Sequence, residues 1–291
     1  MAPRGSPVVK FALTFGQLNP VVWLDVAREA DRVGFESLWL SEHLVIPVAM
    51  AGSPFAGETH PPVPPETPVY DAAAYLAHLA ALTERVRLGT YVYLLGIRHP
   101  FISARAFATL DLVSGGRAVL GVGSGWLASE WEAVGLDPAT RGARLDEAIG
   151  VCRRLWVEPV IEHHGTHFDF APVAFEPKPL QQPVPIHVGG ESARALRRAA
   201  QLGDGWLGMR HTPESAAARV AELRTLLDAA GRPASALEIT VSGACESRAD
   251  RLAWERAGVD RLIVSPWRRS AEAVGAITTF AGRRIGGDGN G

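Results

Sequence analysis

Cysteine is scarce in this chain. Only two cysteines occur among the 291 residues, Cys152 and Cys245. They are far apart in the sequence, so they support neither a disulfide framework nor a zinc site built from cysteine thiolates. This scarcity fits a reducing compartment, and we expect a cytoplasmic location. The segment from Met1 to Lys10 also lacks the apolar stretch of a signal peptide, which agrees with that expectation.

An excess of basic charge and a long apolar run are also missing. Lys and Arg number 29 against 31 Asp and Glu, which gives a formal net charge of −2. We therefore expect neither nucleic acid nor an anionic membrane surface as a partner. No stretch reaches the roughly eighteen consecutive apolar residues of a membrane span. The composition is that of a globular enzyme, for which we expect a small-molecule substrate.

Short apolar runs alternate with longer segments of helical periodicity. Eight strand-then-helix units fit into the chain, which is the number in a (β/α)₈ TIM barrel of the α/β class. A doubly wound sheet is the alternative, but it needs no eighth unit. We predict one barrel domain over residues 1–281 and a disordered glycine-rich tail over 282–291. The predicted strands are Val8–Phe15, Ser37–Leu40, Arg87–Leu94, Ala118–Val122, Val184–Val188, Gly205–Leu207, Leu237–Ser242 and Val259–Val264.

Helix signals follow these strands. Asn19 and Pro20 predict a helix start, with the asparagine as N-cap and the proline at the first helical position. Gly34 predicts the end of the same helix. Further helical segments are expected after the other strands, the longest over Arg141–Trp156 and Pro213–Ala230.

Two insertions interrupt the alternation of predicted strands and helices. Residues Glu42 to Val69 join the second strand to its helix and contain seven prolines. A loop of this length that leaves the carboxyl end of a barrel strand is predicted to be a lid or pocket wall. The segment His163–Pro185 predicts a small hairpin and an extended connection before the fifth strand.

A glycine-rich motif, Gly121-Val-Gly-Ser-Gly-Trp126, follows the fourth strand. It is not a dinucleotide-binding fingerprint, because the sixth position holds Trp126 rather than glycine. Small residues here let a flat ligand approach the backbone, although a tight turn alone would explain two of the glycines. Ser124 completes a Gly-x-Ser-x-Gly pattern, but an eight-unit barrel is the wrong fold for a hydrolase nucleophile elbow.

A second glycine pair, Gly189-Gly190, precedes the helix that begins near Glu191. Free backbone N–H groups and the positive end of a helix dipole form an anion site suited to phosphate. A tight turn capped by Ser192 is the simpler explanation. Glu191 counts against an anion directly beside it.

Histidines occur at two places of interest. His43 follows the second strand, where it could exchange protons with a ligand or could simply be a surface residue. Glu42 beside it could orient the ring or be solvated. The cluster His163-His-Gly-Thr-His167 suggests a metal site, but it lacks a carboxylate or cysteine at ligand spacing. We expect a surface turn there and no bound metal.

Taken together, these segments resemble the luciferase-like monooxygenase superfamily, especially the branch that uses the deazaflavin coenzyme F-420. The resemblance runs in order from about Val8 to Val264 and no single motif carries it. The matching pieces are Trp39-Leu-Ser-Glu-His43, Arg87-Leu-Gly-Thr-Tyr-Val92, Arg98-His-Pro100, Leu112-Val-Ser-Gly-Gly-Arg117, the motif Gly121–Trp126, Glu130, Arg141, Pro185-Ile-His-Val-Gly-Gly190 and Asp204-Gly-Trp206.

The resemblance implies a cofactor ring at the carboxyl-terminal mouth of the barrel. His43 matches a histidine beside the ring that is a proposed proton donor or acceptor. Tyr91-Val92 matches a non-proline cis peptide behind the ring, while Gly189 and Gly190 match the backbone that receives the cofactor phosphate. Ser129 falls near the polar edge of the ring, and we include Ser124 among the cofactor contacts. The run from Arg98 to Arg117 is assigned no chemistry.

One position departs from the family pattern. Some deazaflavin dehydrogenases carry a glutamate directly after the glycine equivalent to Gly125, and this chain has Trp126 there. The departure disfavours a sugar-phosphate or simple alcohol substrate. With Phe55 in the proline-rich loop, Trp126 favours a bulky or apolar substrate.

The expected activity is therefore hydride transfer between F-420 and an organic substrate. The alternative is an FMN-dependent monooxygenase of the same fold, supplied with reduced cofactor by a partner reductase. A non-catalytic cofactor-binding barrel is a third possibility. By resemblance alone, we expect a homodimer.

Overall fold

The computed structural model describes residues 8–16, 18–50 and 64–285. Its strands, in chain order, are β1 (Lys10–Thr14), β2 (Ser37–Leu40), β3 (Arg87–Thr90), β4 (Ala118–Val122), β5 (Val160–His164), β6 (Asp169–Ala174), β7 (Ile186–Gly189), β8 (Gly205–Gly208), β9 (Glu238–Ser242) and β10 (Arg261–Val264). Eight of them close into a parallel barrel in the order β1-β2-β3-β4-β7-β8-β9-β10, and β10 pairs with β1. The predicted (β/α)₈ barrel is confirmed.

Helices cover the outside of the barrel. They are α1 (Trp23–Val33), α2 (Ala72–Ala80), α3 (Pro100–Ser114), α4 (Ala128–Ala133), α5 (Arg141–Val157), α6 (Ala193–Leu202), α7 (Pro213–Ala229), α8 (Arg248–Arg256) and α9 (Ala273–Arg284). The capping signals before α1 act as predicted, except that residues 20–22 form a 3₁₀ turn. The Asn19 side chain accepts a hydrogen bond from the N–H of Val21, and Gly34 ends α1 at φ +91°.

Most strand boundaries differ by one or two residues from the sequence-based expectation, and three further differences matter more. Strand β3 ends at Thr90 rather than Leu94, because the chain leaves the sheet at Tyr91. The hairpin of β5 and β6 begins at Val160, so His163 lies in its first strand rather than in a turn before it. Helix α9 continues to Arg284, three residues past the predicted end of the domain. Residues 286–291 of the predicted tail lie outside the described residues.

The barrel strands are buried on both faces. Every residue of β2, β4, β8 and β10 is buried, as expected for parallel strands covered by helices outside and filled by side chains inside. Trp39 packs in a cluster separate from that of its neighbours Leu38 and Leu40, because alternate residues of a strand face opposite sides. Gly89 leaves room for the Trp39 indole, since a Cβ on Gly89 would lie 2.5 Å from that ring.

An ion-pair cluster closes the amino-terminal end of the barrel. The fully buried Arg261 guanidinium binds the carboxylates of Glu36 and Glu238, at 2.7 Å from Nη2 to each, and donates to Thr240 Oγ1 at 2.8 Å. Burial alone would raise the pKa of Glu36, but the adjacent Arg261 lowers it to about 2. The nearby His187 has its pKa lowered to about 3 by burial, so its ring is neutral at physiological pH.

We predict that Arg261→Ala lowers the free energy of unfolding by about 3 kcal/mol, because it removes the closest cation from two largely buried carboxylates and leaves them the longer contacts to Arg87, at 3.6 and 3.3 Å. The pKa of Glu36 is lowered from 4.5 on folding, so its stabilising contribution is present above pH 4.5 and is lost as the pH falls towards 2. The variant should lose this part of the acid sensitivity. Urea unfolding at pH 7 and between about pH 5 and pH 3 measures both effects.

Arg28→Ala is the matched control, because the Arg28–Asp25 pair is exposed and its Nη1–Oδ1 distance is 3.5 Å. Its effect should stay below about 0.5 kcal/mol. Equal destabilisation by the two substitutions would contradict the role assigned to Arg261.

Candidate active site

The loops at the carboxyl ends of the strands carry most of the predicted site residues. His43 follows β2, Tyr91 follows β3, Ser124 follows β4 and Gly190 follows β7. Because the strands are parallel, these loops open at the same end of the barrel, where TIM-barrel enzymes build their active sites. The four strands are neighbours in the barrel order. The fold therefore brings these residues to one side of the mouth.

His43 is held in place by Glu130, a residue of α4 that is 1% exposed. Glu130 Oε2 lies 2.8 Å from His43 Nδ1, and Oε1 accepts hydrogen bonds from the N–H groups of Leu44 at 2.5 Å and Val45 at 3.3 Å. Because a carboxylate oxygen accepts, this contact assigns the proton to Nδ1. The other ring nitrogen, Nε2, is then free to accept a proton from a ligand.

Glu42 does not orient the His43 ring, so that interpretation is wrong. Its buried carboxylate forms an ion pair with Arg98 and accepts the N–H of Leu94 at 2.9 Å. Burial raises the pKa of Glu42, and the Arg98 guanidinium opposes the rise. The Arg98 guanidinium also lies 4.5 Å from the centre of the Tyr93 ring. These contacts tie the loop after β2 to the loop after β3.

The peptide bond between Tyr91 and Val92 is cis, as the family resemblance implied. The Val92 side chain lies between two glycines of neighbouring loops. A Cβ built on Gly123 would lie 2.4 Å from Val92 Cγ2, and one on Gly189 would lie 2.6 Å from Val92 Cγ1. Gly121 is equally constrained, because its Cβ would meet the Thr90 carbonyl oxygen at 1.8 Å. These three glycines thus serve the packing of the mouth.

The start of α6 has the form of an anion site. Gly190 adopts φ +122°, and the Ser192 side chain caps the helix by accepting the N–H of Ala195 at 3.2 Å. Because Ala193 and Arg194 are the first two residues of α6, their amides have no acceptor within the helix. The tight turn capped by Ser192 and the anion site are therefore compatible.

The Glu191 carboxylate contacts three groups outside the start of α6. Its Oε1 accepts the N–H of Met209 at 2.9 Å and lies 3.2 Å from His211 Nε2, while its Oε2 lies 3.7 Å from Arg219. Because Arg219 and these donors offset its charge, Glu191 is a weaker objection to an anion at α6 than the sequence indicated.

Three other predicted residues lie in or next to the glycine loop after β4. Trp126 packs edge-to-face against His43 with ring centres 6.1 Å apart. Ser129 Oγ is buried without a hydrogen-bond partner within residues 8–16, 18–50 and 64–285. Ser124 is half-buried, and no contact to a histidine or carboxylate supports a hydrolase triad among those residues. Gly125 turns the loop at φ +76°.

The Tyr91 side chain contacts different strands from Val92, which packs against the glycine loops. Its hydroxyl donates to the Gly208 carbonyl at 2.6 Å and lies 3.4 Å from Ser242 Oγ. It lines a cavity of about 930 Å³ that extends over the ends of β8, β9, β10 and β1 to α9. His43, Trp126, Ser129 and the pair Gly189-Gly190 do not line this cavity.

The proline-rich loop is described only at its two ends. Phe55 and the rest of residues 51–63 lie outside the described residues, so the predicted lid and the Phe55 contact stay predictions. On the described side, Tyr70 packs on Trp23 and Tyr75 at ring-centre distances of 5.4 and 5.3 Å.

The histidines of the hairpin contact separate carboxylates. His163 Nε2 lies 3.0 Å from Glu147, and His164 Nδ1 lies 2.6 Å from Asp169. Among the described residues, no group of three or more His, Cys, Asp and Glu side chains has the arrangement of a metal site.

Sequence reasoning missed the role of Glu130, which appeared only as one piece of a family pattern. Glu130 and His43 are separated by 87 residues, so no local spacing signal connects them. The link between Glu42 and Arg98 was missed for the same reason, since 56 residues separate the pair.

The comparisons with known proteins agree with this fold. A family model described as luciferase-like monooxygenase matches residues 19–285. An uncharacterised protein of Mycobacterium tuberculosis is 29% identical over 259 residues, which cover 88% of each chain. The F-420-dependent glucose-6-phosphate dehydrogenase of Kineococcus radiotolerans is 32% identical over 249 residues, covering 82% of this chain and 68% of that protein.

Solved structures share the fold at lower identity. A monooxygenase from Streptomyces bottropensis superposes with a TM-score of 0.75 at 22% identity, over 96% of this chain and 99% of that one. The F-420-dependent tetrahydromethanopterin reductase of Methanopyrus kandleri gives 0.72 at 17% identity, over 92% and 97%. Within the described residues, no helix is long and apolar enough to cross a membrane. With a family model matching nearly its whole length, the chain belongs to the luciferase-like monooxygenase family of oxidoreductases.

Proposed function

We propose that this protein transfers hydride between the deazaflavin coenzyme F-420 and a bulky or apolar organic substrate, and that His43 carries the accompanying proton. The observation that supports this most directly is the His43–Glu130 pair, which leaves His43 Nε2 available at the barrel mouth. The 32% identity to a protein named as an F-420-dependent dehydrogenase supports the choice of cofactor.

The residues present suit a flat cofactor that carries a phosphate. The unpaired amides of Ala193 and Arg194 and the dipole of α6 would hold the phosphate beside Gly190. The Val92 side chain, raised on the cis peptide, would support one face of the ring. The buried Ser129 hydroxyl lacks a partner among the described residues, and a polar ring edge would supply one.

When bound, the deazaflavin supplies a carbon centre that accepts or releases a hydride. In the oxidising direction, His43 Nε2 takes the proton that a substrate hydroxyl loses with the hydride, and in the reducing direction it returns that proton. Glu130 fixes the ring by accepting from Nδ1–H and stabilises the positive charge that the ring gains. Trp126 shields His43 from water on one side.

The rival within the same fold is the FMN-dependent monooxygenase, which would require a partner reductase. The monooxygenase neighbour supports that activity only through the shared fold, because its identity to this chain is 22%.

We also propose a homodimer. Exposed apolar side chains on α3 and β5 support it, with Ile102 62% and Val160 56% exposed.

Cofactor titration tests the proposal first. Purified protein should bind oxidised F-420 in the low micromolar range or tighter, and at least about tenfold more tightly than FMN. Fluorescence of each cofactor measures the affinity. Preference for FMN, with oxygen consumption once a reductase is added, would establish the monooxygenase instead.

His43→Ala should lower turnover by about 10²–10⁴-fold, because it removes the proton carrier. The affinity for F-420 should change by less than about threefold. Stopped-flow reduction or oxidation of the bound cofactor with an identified substrate measures the rate. His164→Ala, on the exposed hairpin, is the control and should leave both quantities unchanged. Equal losses of rate and cofactor affinity would reduce His43 to a binding residue.

Glu130→Gln should reverse the tautomer of His43. The glutamine oxygen can still accept the Leu44 N–H, which turns its NH₂ donor towards Nδ1 and moves the imidazole proton to Nε2. Nitrogen-15 NMR of labelled histidine reads the tautomer, and turnover in the oxidising direction should fall with the change.

Glu132→Gln is the matched control, because Glu132 is an exposed residue of the same short helix. It should leave the His43 spectrum as in the unsubstituted protein. An Nε2-protonated ring in the unsubstituted protein would contradict the assignment.

A further inference from the structure

The Trp206 side chain connects β8 to the loop after β7. Trp206 is fully buried, and its indole Nε1–H donates to the Gly190 carbonyl at 3.0 Å. Gly208 makes room for the indole, because a Cβ on Gly208 would lie 2.5 Å from Trp206 Cη2. The His211 ring packs edge-to-face against the indole, with ring centres 5.4 Å apart. These contacts fix the direction of one backbone carbonyl next to the start of α6.

The Gly190 carbonyl is directed towards the outside of the barrel. Leu207 packs in the cluster that contains Trp39 and fills the barrel interior, whereas Trp206 belongs to the larger cluster between the strands and the helices. The carbonyl that meets the Trp206 indole therefore faces the helix side. The bond between Gly190 and Glu191 is trans, and a trans peptide carries its C=O and N–H in opposite directions. The Glu191 N–H thus faces inward, towards the mouth.

The loop after β8 also holds the Glu191 side chain. Its Oε1 accepts the N–H of Met209 at 2.9 Å and lies 3.2 Å from His211 Nε2. Gly190 itself adopts φ +122°, a conformation that residues with a side chain rarely adopt. Strand β8 and its loop therefore fix the Gly190–Glu191 peptide through its carbonyl and through the side chain that follows it.

We propose that Trp206 is a positioning residue for the cofactor phosphate, because it holds the Gly190 carbonyl outward and turns the Glu191 N–H towards the anion. The Glu191 N–H then acts as a third backbone donor beside those of Ala193 and Arg194. Successive backbone N–H groups form an anion-binding concavity, and their hydrogen bonds to a charged oxygen are stronger than those to a neutral one. The inference rests on the proposed function for the presence of a phosphate and adds the residue that prepares its site.

Two substitutions separate this role from simple packing. Trp206→Phe removes the indole donor and keeps an aromatic ring. Trp156→Phe is the matched control, because Trp156 is also fully buried and its indole donates to the Ala104 carbonyl at 3.0 Å, in the contact of α5 with α3. Thermal unfolding should show similar losses of stability in the two variants, and Trp206→Phe alone should alter the recognition of phosphate.

The test uses two pairs of ligands whose members differ only in a phosphate. One pair is the deazariboflavin core of F-420 and its phosphate ester, and the other is riboflavin and FMN. By fluorescence titration, Trp206→Phe should weaken the phosphorylated deazaflavin by about tenfold and the unphosphorylated one by less than about twofold. Trp156→Phe should leave the ratio of the two affinities within about twofold. An equal loss for both members in Trp206→Phe would show a merely structural residue and overturn the proposal.

Nitrogen-15 NMR of the unsubstituted protein gives a second readout, which decides the matter even if Trp206→Phe does not fold. The amide resonances of Glu191, Ala193 and Arg194 should all move when the phosphorylated ligand replaces the unphosphorylated one. Movement of the Ala193 and Arg194 amides without that of Glu191 would contradict the proposal, because the helix end alone would then hold the anion.

The two ligand pairs distinguish this inference from the proposed function. If only the flavin pair shows the phosphate-dependent loss, the role of Trp206 stands and the proposed deazaflavin is wrong. If the deazaflavin pair binds without any gain from the phosphate, the role of Trp206 is wrong and the proposed cofactor stands. Failure of both pairs to bind would overturn both.

Discussion

The packing of Val92 against Gly123 and Gly189 is the constraint on which the mouth of this barrel depends. Three strands contribute to it, since Val92 follows β3, Gly123 follows β4 and Gly189 ends β7. Any side chain at either glycine would overlap the valine, so the three loops can approach one another only with this set of residues. The same packing sends Tyr91 to the opposite side and so fixes the wall of the large cavity.

Glu42 and Glu130 both lie near His43, but they have different roles because they contact different groups. Glu130 meets an imidazole and two backbone amides, so it orients a group that can exchange protons. Glu42, adjacent to His43 in the chain, meets the Arg98 guanidinium and joins two loops. Proximity in sequence was therefore a poor guide to function here. What decides each role is the cation or donor that the fold brings to the carboxylate.

The two ends of the barrel show a similar division. At the amino-terminal end, Arg261 neutralises Glu36 and Glu238, and the cluster stabilises the closed barrel. At the carboxyl-terminal end, His43 Nε2 and the amides at the start of α6 keep hydrogen-bonding capacity for ligands. Paired charges at the amino-terminal end and available hydrogen-bonding groups at the carboxyl-terminal end match the division between stability and activity in barrel enzymes.

The strand and helix positions could be read from the sequence because they depend on local patterns: apolar runs set the eight strands, and the Asn19, Pro20 and Gly34 signals set α1. The ordered family pieces also indicated the cis bond at Tyr91 and the glycine junction at Gly190. Local patterns do not predict three contacts of the site. These are the pairing of His43 with Glu130, the ion pair of Glu42 with Arg98 and the contact of Tyr91 with Gly208. Each joins residues separated by more than fifty positions, and those contacts exist only because parallel strands close into a barrel and bring their carboxyl ends together.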